Sequence, residues 1–138
     1  MKNFALFTMI VGLLVGCSDG TPVRVAADID VPGLMEQLKS SDPDVRYKAC
    51  VALSTGLENA APALDVLTEM LKSDREARVR EMAGYAIYEM GDEIGKAAMP
   101  VVKERFKTER SPGVRSVLNN LWNRLEPETS PAAKMNQP

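Results

Sequence analysis

The dipeptide Val-Arg occurs three times at near-constant spacing, as Val45-Arg46, Val79-Arg80 and Val114-Arg115, 34 and then 35 residues apart. A second pair keeps the same beat. Leu38-Lys39, Leu71-Lys72 and Phe106-Lys107 are separated by 33 and then 35 residues. Self-similarity at this period is the mark of a stack of small supersecondary units. One such unit cannot bury its apolar face alone, so stacking is obligatory and about three units are the working minimum.

Each unit resolves into two helices. The first helices carry Leu34 and Leu38, then Leu64, Leu67 and Leu71, then Val102 and Phe106, at the spacing of one helix face. The second helices carry Val45, Ala49, Ala52 and Leu53, then Val79, Ala83, Ala86, Ile87 and Met90, then Val114, Leu118, Leu121, Trp122 and Leu125. Asp42 before Pro43 and Ser111 before Pro112 read as an N-cap followed by proline in the first turn. Ser73 or Asp74 is the expected cap of the middle one, and Gly91 its expected C-terminal stop. Aromatic residues are only 5% of the chain, so the helices are expected to pack through small and aliphatic side chains.

Residues 42 to 53, Asp-Pro-Asp-Val-Arg-Tyr-Lys-Ala-Cys-Val-Ala-Leu, resemble a HEAT-like repeat of the kind also found in phycobilisome lyases. The second copy keeps Ala83, Ala86, Ile87 and Gly91 but has Asp65 where the pattern has Pro. The third departs most, with Leu118, Leu121 and Trp122 in place of smaller residues, as a closing cap would have. The resemblance implies an all-α fold, a short right-handed α-solenoid of about three helix-turn-helix repeats over residues 31–125. It also implies that the arginine after the valine pairs with acidic turn residues of an adjacent repeat. Arg46, Arg80 and Arg115 are then expected to meet Asp42, Asp44 or Asp74, the rival role for these arginines being ligand binding.

The N-terminus follows a different logic. Lys2 precedes an apolar run from Phe4 to Val15, interrupted by Thr8 and Gly12. About a dozen residues is too short for a membrane span, which needs roughly 20, and suits a secretory signal. Leu14-Val15-Gly16-Cys17 resembles a bacterial lipobox. That implies removal of residues 1–16 and a covalent lipid on Cys17; the alternative is an ordinary secretory signal with an accidental cysteine, and no cofactor besides that lipid is expected. Ser18 after the cysteine, with Asp19 one place later, leans towards outer-membrane sorting and a protein facing the periplasm. Residues 17–30 read as a flexible tether. Residues 126–138, with Pro127, Pro131 and Pro138, read as an irregular tail.

Several chemistries find no support. The chain has no histidine, which removes the commonest general base and the commonest metal ligand together. No phosphate-cradling loop appears. The iron-binding His-Glu pairs of the HEAT-repeat deoxyhypusine hydroxylases are absent. A lyase acting on cytoplasmic phycobiliproteins conflicts with an export signal. Net charge is −2 with no basic stripe, so nucleic acid is not an expected partner. Glu36, Glu69 and Glu104, each followed three places on by Lys39, Lys72 and Lys107, read as solvated helix-face pairs rather than a metal site. Cys50 reads as a small buried side chain, with a redox role as its rival. No catalytic residue is expected.

In HEAT-like stacks the second helices line the concave, partner-binding face. Off the apolar stripe these helices present Tyr47, Lys48 and Val51, then Glu81, Met82, Tyr85 and Glu89, then Ser116, Asn119, Asn120 and Asn123. Tyr47, Met82 and Tyr85 are the expected centre of a protein-docking patch; the rival reading is that they only fill gaps between helices. The expected function is a membrane-anchored, non-catalytic scaffold for a protein partner. The alternative is an envelope-complex subunit that self-associates through the ends of the array; a lyase-type enzyme is third.

Overall fold

The computed structural model describes residues 25–135, and within them the chain is helical with no strand. The three repeats each pair a first helix with a second: α1 (Val31–Gln37) with α2 (Pro43–Thr55), α3 (Leu64–Ser73) with α4 (Ala77–Glu89), and, after the short α5 (Asp92–Gly95), α6 (Met99–Thr108) with α7 (Pro112–Leu125). A last short helix, α8 (Pro131–Met135), closes the described chain. Turns of 3-10 helix at Leu57–Ala63 and Lys96–Ala98 lead into α3 and α6. The second helices stack in order, α2 on α4 and α4 on α7, while α3 packs on α6 behind them. This is the all-α HEAT-like solenoid that the repeat demands.

The core lies between these two layers. Leu53, Leu67, Leu71, Val79, Ile87, Val102, Val114, Leu118 and Leu121 are fully buried, and Ala49, Ala83 and Ala86 let the helices approach. Gly84 lets α7 come close to α4: a Cβ there would lie 2.7 Å from Val117 Cγ1. Val45, Leu34 and Leu64, expected in the core, are only half-buried; Val45 and Leu34 lie in the first repeat, which has a neighbour on one side.

The helix starts hold one correction. Asp42 caps α2, its carboxylate accepting from Asp44 N–H at 2.8 Å. The cap of α4 is Glu76, not Ser73 or Asp74. Ser73 donates instead to the Glu69 carbonyl at 2.9 Å, and Asp74 accepts from Glu76 N–H at 2.9 Å while facing Arg46. Gly91 ends α4 with φ 91° and ψ 170°, a conformation open in practice only to glycine.

Two largely buried arginine–carboxylate pairs tie the repeats together. Arg46 donates through Nε and Nη2 to both oxygens of Asp74, at 2.8 and 3.0 Å. Arg80 repeats the geometry one unit on, donating to both oxygens of Glu109 at 2.9 and 3.0 Å. In each case Nη1 donates to two carbonyls of its own turn, Ser40 and Ser41 for Arg46, Asp74 and Arg75 for Arg80. Glu109 also takes Arg105 Nε and the N–H groups of Arg110 and Ser111. Of the expected partners only Asp74 serves an arginine of the Val-Arg series. Asp42 is spent on its cap, Asp44 pairs with Arg78, and Arg115 reaches no carboxylate among the described residues.

Both ends depart from expectation. Residues 25–30, expected to belong to the tether, are partly docked: Ala27 N–H donates to the Thr55 carbonyl at 3.0 Å, Ile29 packs over Gly56, and Asp30 caps α1 by accepting from Gly33 N–H at 3.1 Å. The tail from Glu126 is not irregular throughout. Trp122 Nε1 donates to Thr129 Oγ1 at 3.0 Å, Lys103 pairs with Glu126, and Ser130 is buried, accepting from Ala133 N–H ahead of α8. Pro131 after Ser130 is the same cap-then-proline signal that opens α2.

Burial alone would raise the Glu109 pKa, but the bonds from Arg80, Ser111, Arg105 and Arg110 outweigh it and hold the carboxyl at about 2. The folded value lies below the unfolded one, so this stabilisation is complete above pH ~4.5 and is lost as pH falls through about 2, on the order of 3 kcal/mol. Urea midpoints measured between pH 5 and pH 2.5 should therefore fall, and Glu109→Gln should start lower and fall less steeply. Parallel slopes for the two chains would show that Glu109 is not held ionised by the fold.

Candidate functional site

The exposed side of the second-helix layer carries an apolar hollow of about 270 Å³. It is lined by Tyr47 from α2, Arg78, Glu81, Met82 and Tyr85 from α4, and Val117 from α7. All three repeats contribute, because the stack sets equivalent positions side by side: Lys48, Met82 and Val117 share one register, and Val51, Tyr85 and Asn120 another. Arg78 closes one wall, pairing with Asp44 of the first repeat and placing its guanidinium 5.8 Å from the Tyr47 ring centroid. Glu81 lies against the first turn of α7 at Gly113, where a Cβ would collide with its carboxylate.

Tyr85 is the centre of this surface. It is 38% exposed, one of few large apolar side chains left in contact with water. It lines the first hollow and, with Tyr88, Val117 and Asn120, a second of about 130 Å³. Its ring lies nearly parallel to that of Tyr88, with centroids 6.5 Å apart. Tyr88 is backed by Arg124, whose guanidinium sits 4.5 Å from the ring centroid and whose Nε donates to Asp92 at 2.5 Å. Tyr85 therefore projects from a braced aromatic pair.

The expected docking residues divide accordingly. Tyr47, Glu81, Met82 and Tyr85 come together in the first hollow, and Asn120 joins Tyr85 in the second. Lys48 and Val51 are exposed on α2 beside them. Glu89, Asn119 and Asn123 are half-buried, and Asn123 Oδ1 is enclosed without a hydrogen-bond partner among the described residues. Arg78, Val117 and Tyr88 were missed. Val117 had a signal in the sequence, since it lies one 35-residue repeat after Met82. Cys17, the expected lipidation site, lies outside the described residues, as do 1–16 and the first part of the tether.

A larger hollow, about 480 Å³, lies at the turns between Ser40, Arg46, Asp74 and Glu76. It is polar, and two of its ionic groups, Arg46 and Asp74, are committed to each other, with the exposed Arg75 and Glu76 beside them. Among the described residues no cluster of three or more acidic, cysteine or histidine side chains is arranged to hold a metal, and no helix is long and apolar enough to cross a membrane.

Cys50 is fully buried in α2, and burial pushes its thiol up to about 12. Only the thiolate reacts, so the native thiol should be inert at pH 8. In a Cys17→Ser chain, a disulfide reagent should modify Cys50 only once urea unfolds the protein; rapid modification of the folded chain would reopen a redox role.

No curated protein and no solved structure matches the chain. A family profile described as HEAT repeats matches residues 31–122, a span reaching from the first residue of α1 to within three residues of the end of α7. That span takes in both interlocked arginine–carboxylate pairs and the hollow, and the chain belongs to the HEAT-repeat family.

Proposed function

We propose that this chain is a lipid-anchored docking module that holds a protein partner on its second-helix face and performs no catalysis. HEAT repeats generally serve as protein-interaction scaffolds. The observation that carries the proposal is the hollow around Tyr85. It is apolar at its centre, joins three repeats, and is flanked by Arg78 and Glu81 as groups of opposite charge. A surface of this kind accepts an apolar anchor from a partner while the rim charges select its orientation. Exposed tyrosine on a rigid backing is a favourable anchor because little side-chain entropy remains to be lost.

The anchoring half of the proposal rests on the Leu14-Val15-Gly16-Cys17 sequence after a short apolar run. Export, cleavage before Cys17 and lipidation of its sulfur would place the array at a membrane surface, the outer membrane facing the periplasm being favoured by Ser18. Several acyl chains then hold it there, since each buried CH₂ contributes about 0.8 kcal/mol. Ala27 bonds to the first repeat, so a lipid on Cys17 would be joined to the array through residues 18–26.

Both halves have direct tests. Labelled palmitate fed to cells should appear in the protein and be absent from a Cys17→Ser chain; equal labelling would end the lipoprotein reading. Crosslinking of the native protein in its envelope should recover one distinct partner. Tyr85→Ser should weaken that complex by ~2 kcal/mol, about thirtyfold, with no change in helicity. A partner retained at full strength would move the docking site elsewhere.

A further inference from the structure

The arginine series is complete in the first two repeats and open in the third. Arg115 occupies the register of Arg46 and Arg80, and its Nη1 repeats one of their two turn bonds, to the carbonyl of Glu109 at 3.3 Å six positions back, while its other bond goes to the carbonyl of Phe106 in α6 at 2.9 Å. Its guanidinium lies over Phe106, 4.5 Å from the ring centroid. The side chain is thus held in place. The edge formed by Nε and Nη2, which in Arg46 and Arg80 grips both oxygens of a carboxylate, has no acceptor among the described residues.

The described residues beyond α7, 126–135, do not fill this position. They fold back over the third repeat, through Trp122 of α7 with Thr129 and Lys103 of α6 with Glu126. Arg115 lies in the first turn of α7 and stays exposed. Asn119, on the same helix, takes the register of Cys50 and Gly84, which are buried within the stack. A polar residue there suits a face that meets water. The surrounding turn is cationic as well, with Lys107 and Arg110 exposed and its one buried carboxylate, Glu109, already shared by Arg80 and Arg105.

We propose that Arg115 is a docking site for a carboxylate presented by a different protein, seated on the outer face of α7 as a fourth repeat would sit. The chain itself is a poor occupant. The acidic partners Asp74 and Glu109 each stand six residues before the arginine of their own repeat, and in the first repeat that position is Ser40. A second copy stacked head to tail would offer Arg115 a hydroxyl where the register calls for an acid. The site is distinct from the Tyr85 hollow, so either can fail without the other, although both assume a protein partner.

The test places a photoreactive benzoylphenylalanine at Asn119 in the full lipidated chain, irradiates intact cells, and maps the crosslinked peptide. The expected product joins a second protein next to an Asp or Glu. Arg115→Glu should lower its yield by about tenfold or more, and reversing that acid to Arg should restore it. The thermal melt of Arg115→Glu, monitored by helicity, serves as the control for folding. Crosslinks to a second copy of this chain, crosslinks indifferent to Arg115→Glu in a folded chain, or no crosslink at all would each overturn the proposal.

Discussion

A guanidinium buried between two turns must be matched atom for atom, because removing an ion from water costs several kcal/mol unless each of its donors finds an acceptor. Arg80 meets that condition: its side chain is about one-tenth exposed, and it grips both oxygens of Glu109 while bonding two carbonyls of its own turn. Such a pair adds little stability compared with an apolar filling of the same space. What it adds is register. Bidentate geometry tolerates little sliding, so the second repeat can sit against the third in one position only. Arg46 and Asp74 impose the same condition between the first and second.

The apolar layers then complete what the pairs align. Ala49, Ala83 and Ala86 keep the helices close, and Gly84 lets Val117 approach α4. Because α2, α4 and α7 are stacked in register, Tyr47 and Val117 converge on the four residues that α4 supplies to one hollow. A shift of one repeat by a helical turn would separate Tyr47, Met82 and Val117 and leave no common surface. The proposed docking face is therefore a consequence of stacking, and no one repeat contains it.

Much of this was legible in the chain because repetition makes local patterns check one another. The 34- and 35-residue beat, the aliphatic stripes and the Asp-Pro and Ser-Pro helix starts all point to the same stack. Arg46 pairs with the expected Asp74, Arg80 pairs with Glu109 rather than with an expected aspartate, and Tyr47, Met82 and Tyr85 line one hollow. Glu109 escaped notice because its spacing from Asp74 carries information only once Asp74 is known to bind an arginine across the stack. Arg78 was missed for a related reason. It reads as a solvated helix residue until Asp44 and the Tyr47 ring are brought beside it. The tail misled because its prolines suggest disorder, whereas Ser130 and Pro131 start a helix. Cys17 lies outside the described residues, and the fold does not bear on its expected lipidation.

The claim that buried pairs set the stack is tested most directly by a double-mutant cycle at Arg80 and Glu109, using urea unfolding of Arg80→Met, Glu109→Met and the double variant. Each single change strands a buried charge, so each should cost roughly 3 kcal/mol or more, while the double change should recover much of that loss, a coupling of about 2 kcal/mol or more. Additive losses, with no coupling between the two sites, would mean that the repeats are aligned by their apolar layers alone.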